Sequence, residues 1–250
     1  ETTYGDRQHK QLEPSIEDLH EVINATVSHG GNVIIPTFAL ERAQEILFYL
    51  HAGKQEGVLP DFLQVFLDSP MAISATEIFR RHPECYDEHT ASLFASGHDP
   101  FQFSGLHFTR ETADSMAINQ IHSGAVIMAG SGMCTGGRIR HHLKQHLGRE
   151  HSSIVFVGYA AHGTLARRIV DGAKIVNIFG DEYPVRATIH TIGGFSAHAG
   201  QTELLEWHRQ TGNPEHTFLV HGEKDSMIAF SQLLKGTRVD MPELHQAFEL

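Results

Sequence analysis

The chain has 250 residues and a formal net charge of −11 at pH 7, from 19 Lys and Arg against 30 Asp and Glu. Hydrophobic residues make up 40% of it and charged residues 20%, which is the composition of an ordered, soluble globular protein. No apolar run reaches the roughly 18 residues of a membrane span, and the polar first residues do not resemble a signal peptide, so no membrane contact is expected. Cys85 and Cys134 are the only cysteines and are far apart, which predicts no disulfide framework and favours a reducing cytoplasm.

The acidic excess limits how the protein can meet a polyanion such as RNA. Most of the surface would repel it, so nucleic-acid binding is expected only in a local basic groove. The 20 histidines do not by themselves indicate metal. Lone histidines such as His51, His82 and His98 are predicted to be solvated surface residues.

Apolar runs of strand length alternate along the chain with stretches of helical spacing. Ser15 is predicted to cap a first helix that ends at Gly30, and a second helix is predicted from Leu40 to about His51. A long irregular excursion is predicted over residues 82–106. Strands that are apolar on both faces are predicted, in chain order, at 32–38, 63–69, 125–130, 153–159, 174–180, 187–192 and 217–222. The alternation predicts an α/β fold with a mainly parallel sheet flanked by helices.

Polar residues follow several of these strands, where open α/β sheets bind ligands. The segments are LDSP at 67–70, AGSGMCTGGRIRHH at 129–142, GGFSAHAG at 193–200 and LVHGE at 219–223. The glycine-rich segment matches neither a dinucleotide fingerprint nor a P-loop, since Thr135 stands where the first needs Gly and Gly137-Arg138 where the second needs Lys-Ser/Thr. Backbone N–H groups at a helix start, with Arg138 and Arg140 in the first turn, would still bind an anion such as phosphate. The alternative is a turn that only packs helix against strand.

Two histidines near the end of the chain form a second candidate site. His198 lies in a Gly/Ser/Ala turn and His221 follows the apolar strand TFLV, 23 positions later. One helix and one strand fill that interval, so both imidazoles can lie at the same sheet edge. Neutral imidazole binds zinc or manganese and also serves as a general acid. Each histidine, taken alone, is also compatible with a buried, hydrogen-bonded structural role, and the spacing alone does not favour metal binding over it.

These segments together resemble the β-CASP ribonucleases of the metallo-β-lactamase superfamily. ETTYGDRQH resembles that family's motif A, GGNVIIPTFALERAQEIL resembles the start of its β-CASP insertion, and DSPMA, GSGMCTGGR, FSAHAG and LVHGE follow in the family's order. The resemblance implies that Glu1 is the motif A acid, His198 the motif B histidine and His221 a metal ligand of motif C. It also implies RNA phosphate contacts at Ser69, Ser131, Gly132 and Arg138.

The resemblance further implies a domain plan and a cofactor. Residues 1–14 would end an N-terminal metallo-β-lactamase segment, residues 15–184 would form the β-CASP domain, and residues 185–250 would return into the αββα metallo-β-lactamase domain. The intact enzyme would hydrolyse RNA phosphodiester bonds with two zinc ions. The family's His-x-His-x-Asp-His segment is not in this sequence, so this chain alone is expected to be inactive and to bind zinc poorly.

Two other function classes remain open at this stage. One is a noncatalytic RNA-binding scaffold, and the other is a nucleotide-binding α/β domain with a fortuitous glycine loop. His221 favours RNA over DNA within the nuclease reading, because DNA-directed relatives tend to lack this histidine. The sequence determines neither endonucleolytic nor exonucleolytic action, and a homodimer is among the assemblies it allows.

Overall fold

A computed structural model gives the structure of the protein and describes residues 1–8, 10–212 and 214–249. The chain forms two compact units. The larger runs without interruption from Leu12 to Phe195, and the smaller combines residues 1–11 with residues 196–250. In the described part of the chain, no helix combines the length and apolar character that crossing a bilayer needs.

The larger unit contains most of the regular structure. Its α-helices, among the described residues, are α1 (Leu12–Ser28), α2 (Arg42–Gln55), α3 (Pro70–Arg81), α4 (Glu88–Ala95), α5 (Thr112–Ala117), α6 (Ile139–His146) and α7 (Leu165–Val170). Its strands are β1 (Val33–Pro36), β2 (Gln64–Leu67), β3 (Leu106–Phe108), β4 (Ala125–Ala129), β5 (Ser153–Phe156), β6 (Ile175–Ile178), β7 (Asp181–Pro184) and β8 (Thr188–Thr191). Short 3₁₀ turns lie at Pro83–Cys85, Ile118–Gln120 and Gly193–Phe195.

The smaller unit carries fewer elements. Over its described residues these are α8 (Gln201–Arg209), β9 (His216–Phe218), α9 (Lys224–Ser231) and β10 (Arg238–Asp240). β9 pairs with β10 in parallel. The helix predicted between His198 and His221 is confirmed, because α8 lies between these two residues.

A six-stranded sheet organises the larger unit, with the strand order β3-β2-β4-β1-β5-β8 and parallel pairing throughout. Val33 and Ile35 of β1 belong to one buried cluster and Ile34 to another, because successive side chains of a strand point to opposite faces. Helices cover both faces, and the strands are accordingly apolar on both sides. The predicted α/β class with a mainly parallel sheet is confirmed.

The first helix begins earlier than predicted. α1 starts at Leu12, so Ser15 lies buried inside the first turn and is not the cap. Pro14 fits there because the first helical N–H groups have no intrahelical partner to lose. The predicted end is confirmed: Gly30 has φ of 77° and donates its N–H to the Val27 oxygen, while Gly31 donates to Thr26.

Two predicted strands lie outside the main sheet. β6 forms an antiparallel hairpin with β7, in which Val176 and Ile178 are buried while Ile175 is exposed. The prediction of two apolar faces was wrong here, because a short apolar run does not reveal whether one side faces solvent. The run 217–222 contributes to β9 in the smaller unit, where the strand is only partly buried.

The excursion over 82–106 is less irregular than predicted, because α4 lies within it. Tyr86 stacks on Phe94 with ring centroids 5.3 Å apart. His51 was wrongly predicted to be solvated. It lies on the buried side of α2 and stacks on Phe103 at 5.5 Å, and this burial lowers its pKa.

The ends of the compact units differ from the domain boundaries predicted at 14/15 and 184/185. β8 pairs with β5 along its length, so the larger unit continues to Phe195. At the other end α1 begins at Leu12 and belongs wholly to the larger unit. The family's domain boundaries stay a prediction, since compactness and evolutionary domain limits are different criteria.

Candidate active site and phosphate-binding loop

Glu1, His198 and His221 come together in the smaller unit. The Oε2 atom of Glu1 lies 3.2 Å from Nδ1 of His198 and 4.0 Å from Nδ1 of His221. The two imidazole rings have centroids 5.3 Å apart. The predicted proximity of Glu1 and His198 is thus confirmed, and the 23-position spacing does bring the two histidines to one place.

Backbone groups fix the Glu1 carboxylate. Oε2 accepts the Thr3 N–H at 2.9 Å and Oε1 accepts the Ala199 N–H at 3.1 Å. A parallel bridge between Tyr4 and Gly200 aligns the two segments. Partial burial raises the pKa of the Glu1 carboxyl, but the Thr3 hydrogen bonds and the neighbouring His198 outweigh it and leave the pKa below its usual value. The carboxylate is therefore ionised at neutral pH and can accept a hydrogen bond from Nδ1 of His198, and Glu1 does not engage Nε2 of that ring.

His221 is held in an unusual backbone conformation. Its φ is 51°, in the left-handed region, and its carbonyl accepts hydrogen bonds from the Thr2 N–H at 3.2 Å and the Thr3 hydroxyl at 3.3 Å. The next residue, Gly222, has no room for a side chain, because a Cβ atom there would lie 2.6 Å from the Thr2 carbonyl oxygen. The exposed His221 ring is thus presented from a constrained turn.

The donor atoms of these three side chains fit a metal ion. One carboxylate oxygen and one nitrogen from each histidine lie within 4.8 Å of one another. Imidazole and carboxylate are ligands that zinc accepts in proteins. Sequence reasoning assigned only His221 to the metal, whereas the geometry brings all three side chains into ligating range.

A second candidate site lies at the carboxyl ends of β2, β4 and β1, which are neighbours in the sheet. Ser69 follows β2 and caps α3 by accepting the Ala72 N–H at 3.3 Å. Gly130 opens the glycine-rich loop after β4, and a Cβ atom placed on it would lie 3.9 Å from the Ser69 hydroxyl. Ser69 and this loop therefore form one polar edge, as the sequence predicted.

Within the loop, Ser131 and Gly132 have distinct surroundings. The Ser131 hydroxyl oxygen accepts the Gly136 N–H at 3.3 Å, which closes the loop on itself. Gly132 lies against the Phe38 ring, since an added Cβ would be 3.1 Å from it. Phe38 is 50% exposed. An apolar ring thus lies beside the predicted phosphate contacts.

The start of α6 does not offer the free N–H groups that the sequence suggested. Ile139 donates its N–H to the Gly130 oxygen at 3.1 Å, and His141 donates to Arg138 at 2.9 Å. An anion would therefore contact the loop and the serine hydroxyls rather than the first turn of the helix. The first turn of α6 is therefore dropped from the predicted anion site, which keeps the glycine-rich loop and the serine hydroxyls.

Gly137 gives a direct test of the loop's importance. It has φ of 76°, and an added Cβ would lie directly on the Gly130 carbonyl oxygen, whereas Gly136 has open space around it. We expect Gly137→Ala to destabilise the protein by about 1–3 kcal/mol and to displace the loop. Gly136→Ala is the matched control and should change stability by less than about 0.5 kcal/mol in urea unfolding. Equal effects of the two substitutions would contradict the tight packing.

Arg138 is engaged inside the protein. Its Nη1 donates to Asp68 Oδ1 at 2.8 Å and to the Thr109 carbonyl at 2.9 Å, and its Nη2 donates to the Arg110 carbonyl at 2.7 Å. Its side chain is 21% exposed. The predicted phosphate contact is therefore not the contact that this guanidinium makes in the structure, because a buried carboxylate and two carbonyl oxygens take its donors.

Asp68 is the centre of this network and was missed by sequence reasoning. Its side chain is fully buried, and it also accepts hydrogen bonds from His142 at 2.6 Å, Ser115 at 2.6 Å and Thr109 at 2.8 Å. Burial alone would raise the pKa of Asp68, but these hydrogen bonds and the charge of His142 lower it to about 2. The available signal was an acid directly after an apolar strand, in the LDSP segment.

Comparison with protein families supports the resemblance and extends it. Residues 43–169 match the Beta-Casp domain, which covers more than half of the chain. Residues 182–242 match the Zn-dependent metallo-hydrolase RNA specificity domain. The first match lies within the larger unit, and the second includes most of β7, the whole of β8, and α8, β9, α9 and β10.

Curated relatives match nearly the whole chain. The protein named ribonuclease TTHA0252, from Thermus thermophilus, is 43% identical over 234 residues, which cover 94% of this chain and 53% of that protein. The transcription termination factor FttA of Thermococcus kodakarensis is 35% identical over 245 residues, 92% of this chain and 37% of that protein. FttA of Methanocaldococcus jannaschii is 32% identical over 244 residues, 94% and 38% respectively. The chain spans about half the length of the first relative and less of the other two.

Proposed function

Because the chain belongs to the β-CASP family of the metallo-β-lactamase superfamily, we propose that the whole protein is a ribonuclease that hydrolyses RNA phosphodiester bonds with zinc. The observation that carries this proposal is the convergence of Glu1, His198 and His221, with an ionised carboxylate 3.2 Å from an imidazole. The name of the Thermus thermophilus relative, ribonuclease, supports RNA as the substrate.

Glu1, His198 and His221 would have different roles in catalysis. His221 would hold a zinc ion from its constrained turn, and bound zinc would supply an activated water and neutralise charge on the phosphate. Glu1 would keep the proton of His198 on Nδ1 or stabilise the charged ring. His198 would then contact the scissile phosphate or donate a proton from Nε2 to the leaving oxygen. This assignment uses Glu1 to position His198 and reserves metal binding for His221.

The larger unit would bind the RNA backbone. The hydroxyl groups of Ser69 and Ser131 and the backbone at Gly132 would contact phosphate, and the exposed Phe38 ring beside Gly132 would stack on a base. Arg138 would act indirectly, by holding Asp68 and the backbone at Thr109 and Arg110. Local binding of this kind is compatible with a net charge of −11, because the acidic surface elsewhere discourages nonspecific coating.

Zinc binding and cleavage test the proposal together. We expect the full-length protein to cut single-stranded RNA with zinc and to stop when a chelator is added. This 250-residue chain alone should bind zinc weakly and should not cut, because a dinuclear site needs ligands beyond the three present. Isothermal titration measures the binding, with His221→Ala as the variant that removes it. Two zinc equivalents bound at roughly nanomolar affinity by the chain alone would contradict the ligand assignment.

Cellular location and assembly are separate parts of the proposal. Two unpaired cysteines, one buried and one exposed, support a reducing cytoplasm. A homodimer of the whole protein is the assembly we would test first, by sedimentation of the full-length chain.

A further inference from the structure

Positive charge is concentrated in one stretch of the larger unit. Residues 138–186 contain eight Lys or Arg and four Asp or Glu, a net charge of +4 within a chain of −11. The basic residues are Arg138, Arg140, Lys144, Arg149, Arg167, Arg168, Lys174 and Arg186. Arg140 and Lys144 lie on α6 and Arg167 and Arg168 on α7, whereas Arg138 is paired with the buried Asp68 and the β6–β7 hairpin carries only the acids Asp181 and Glu182.

α6 and the hairpin are packed against each other and present a fixed surface. Leu143 of α6 and Val176 and Ile178 of β6 lie in one buried cluster. The chain leaving the hairpin is tied to the end of α6, because the N–H groups of Arg186 and Ala187 both donate to the Leu147 oxygen, at 2.7 and 2.9 Å. The polar and aromatic side chains at the edge of this contact are therefore held on a rigid support.

Cations and aromatic rings alternate at that edge. The Arg140 guanidinium carbon lies 4.2 Å from the centroid of the Phe179 ring, and the His141 ring lies 4.7 Å from it. The Lys144 ammonium lies 5.7 Å from the centroid of the Tyr183 ring. Arg140 and Lys144 are four positions apart on the helix, so they project from the same face about 6 Å apart along its axis.

The hairpin turn holds Phe179 outward. Phe179 has φ of 58° and Gly180 has φ of 95°, and the Gly180 N–H donates to the Asn177 side chain at 3.1 Å. Phe179 is 47% exposed despite the contacts of its ring with α6. Asp181 and Glu182 lie next to it on the hairpin and offset the positive charges of Arg140 and Lys144, so charge alone would not hold an anion at this edge.

We propose that the edge formed by Arg140, His141, Lys144, Phe179 and Tyr183 is an additional binding surface for single-stranded RNA. The cationic groups of Arg140 and Lys144 would contact phosphates, and the Phe179 ring and the Arg140 guanidinium would stack on unpaired bases. Duplex RNA does not expose the faces of its bases, so this surface would select single strands. The inference rests on the proposed function, because it assumes that the substrate is RNA. It extends binding beyond the polar edge at Ser69 and the glycine-rich loop.

Binding to RNAs of two lengths tests this surface in the full-length protein. We compare the double variant Lys144→Gln/Phe179→Ala with Arg81→Gln/Phe62→Ala, which removes one exposed cation and one exposed Phe elsewhere in the larger unit. Fluorescence anisotropy with a 20-nucleotide uridine-rich RNA, in chelator to prevent cleavage, should show about tenfold weaker binding for the first variant only. Its salt dependence should fall by about 0.7 of a slope unit. Binding of a 5-nucleotide RNA should stay within about twofold.

The outcomes separate this inference from the ribonuclease proposal. If the protein cuts no RNA and the double variant still weakens binding of the long RNA, the additional surface stands and the proposed activity fails. If both double variants behave alike, or the first weakens short and long RNA equally, the additional surface is refuted. Thermal midpoints equal to those of the unmodified protein establish that the variants are folded.

Discussion

The His198→Ala variant of the full-length protein is expected to cut RNA at least about a hundredfold more slowly in single turnover, with little change in RNA affinity. An imidazole that orients phosphate or protonates the leaving oxygen acts mainly in the transition state, so its loss lowers the chemical rate rather than binding. Glu1→Gln should also slow cleavage, by a smaller factor. An uncharged amide no longer stabilises the charged ring, although it keeps the shape of the side chain.

His216 provides the matched control for this experiment. It belongs to the same unit and its Nε2 lies 2.5 Å from Asp240, so it is also a histidine paired with a carboxylate. His216→Ala should leave the cleavage rate within about threefold, because it lies outside the group formed by Glu1, His198 and His221. A normal rate in His198→Ala would remove the support for the proposed chemistry. Loss of activity in both variants would point to damage of the whole unit.

Asp68→Ala is expected to produce the largest loss of stability in the larger unit, about 3–5 kcal/mol. Removing this carboxylate leaves Arg138 and the buried His142 without the acceptor that both now share. Asp68→Asn should cost less, since the amide oxygen can still accept one or two of the four hydrogen bonds. Asp114→Ala, at an exposed position of α5, should change the unfolding free energy by less than about 0.5 kcal/mol.

The same residue predicts how stability depends on acid. The pKa of Asp68 is lowered to about 2 from an ordinary 3.8, so its contribution is complete above pH 4 and is lost as the pH falls toward 2. The contribution is on the order of 2 kcal/mol. Urea unfolding at several pH values measures it, and the Asp68→Asn variant should lack this part of the acid sensitivity. An unchanged pH profile in Asp68→Asn would contradict the assignment.

The sheet of the larger unit was largely predictable because its strands are apolar runs with clear ends. Ile34 and Ile127 lie in neighbouring parallel strands, as the alternation of strands and helices indicated. β6 was misassigned because four residues of mixed burial carry too little pattern to distinguish a hairpin from a buried strand. His51 was misjudged because burial by a partner as distant in sequence as Phe103 leaves no local signal.

The candidate sites were predictable to different degrees. Glu1, His198 and His221 are carried by motifs, and their predicted proximity follows from the order of the elements. The sequence indicated that Arg138 is important but not where its side chain points, because its acceptor, Asp68, lies 70 positions earlier in the chain. Long-range hydrogen bonds of this kind decide whether a side chain binds a ligand or the protein itself.

The order in which the ribosome releases the chain follows from the interrupted smaller unit. Glu1 emerges 197 residues before His198, and the whole larger unit is synthesised between them. The sheet from Leu12 to Phe195 can therefore collapse while translation continues, whereas the pair of Glu1 and His198 forms only after the later segment has emerged. Closing so long a loop costs entropy that grows only slowly with its length, and an early folded insert shortens the effective gap. The contact between Glu1 and His198 is therefore absent from a nascent chain until the segment that follows Phe195 has been synthesised.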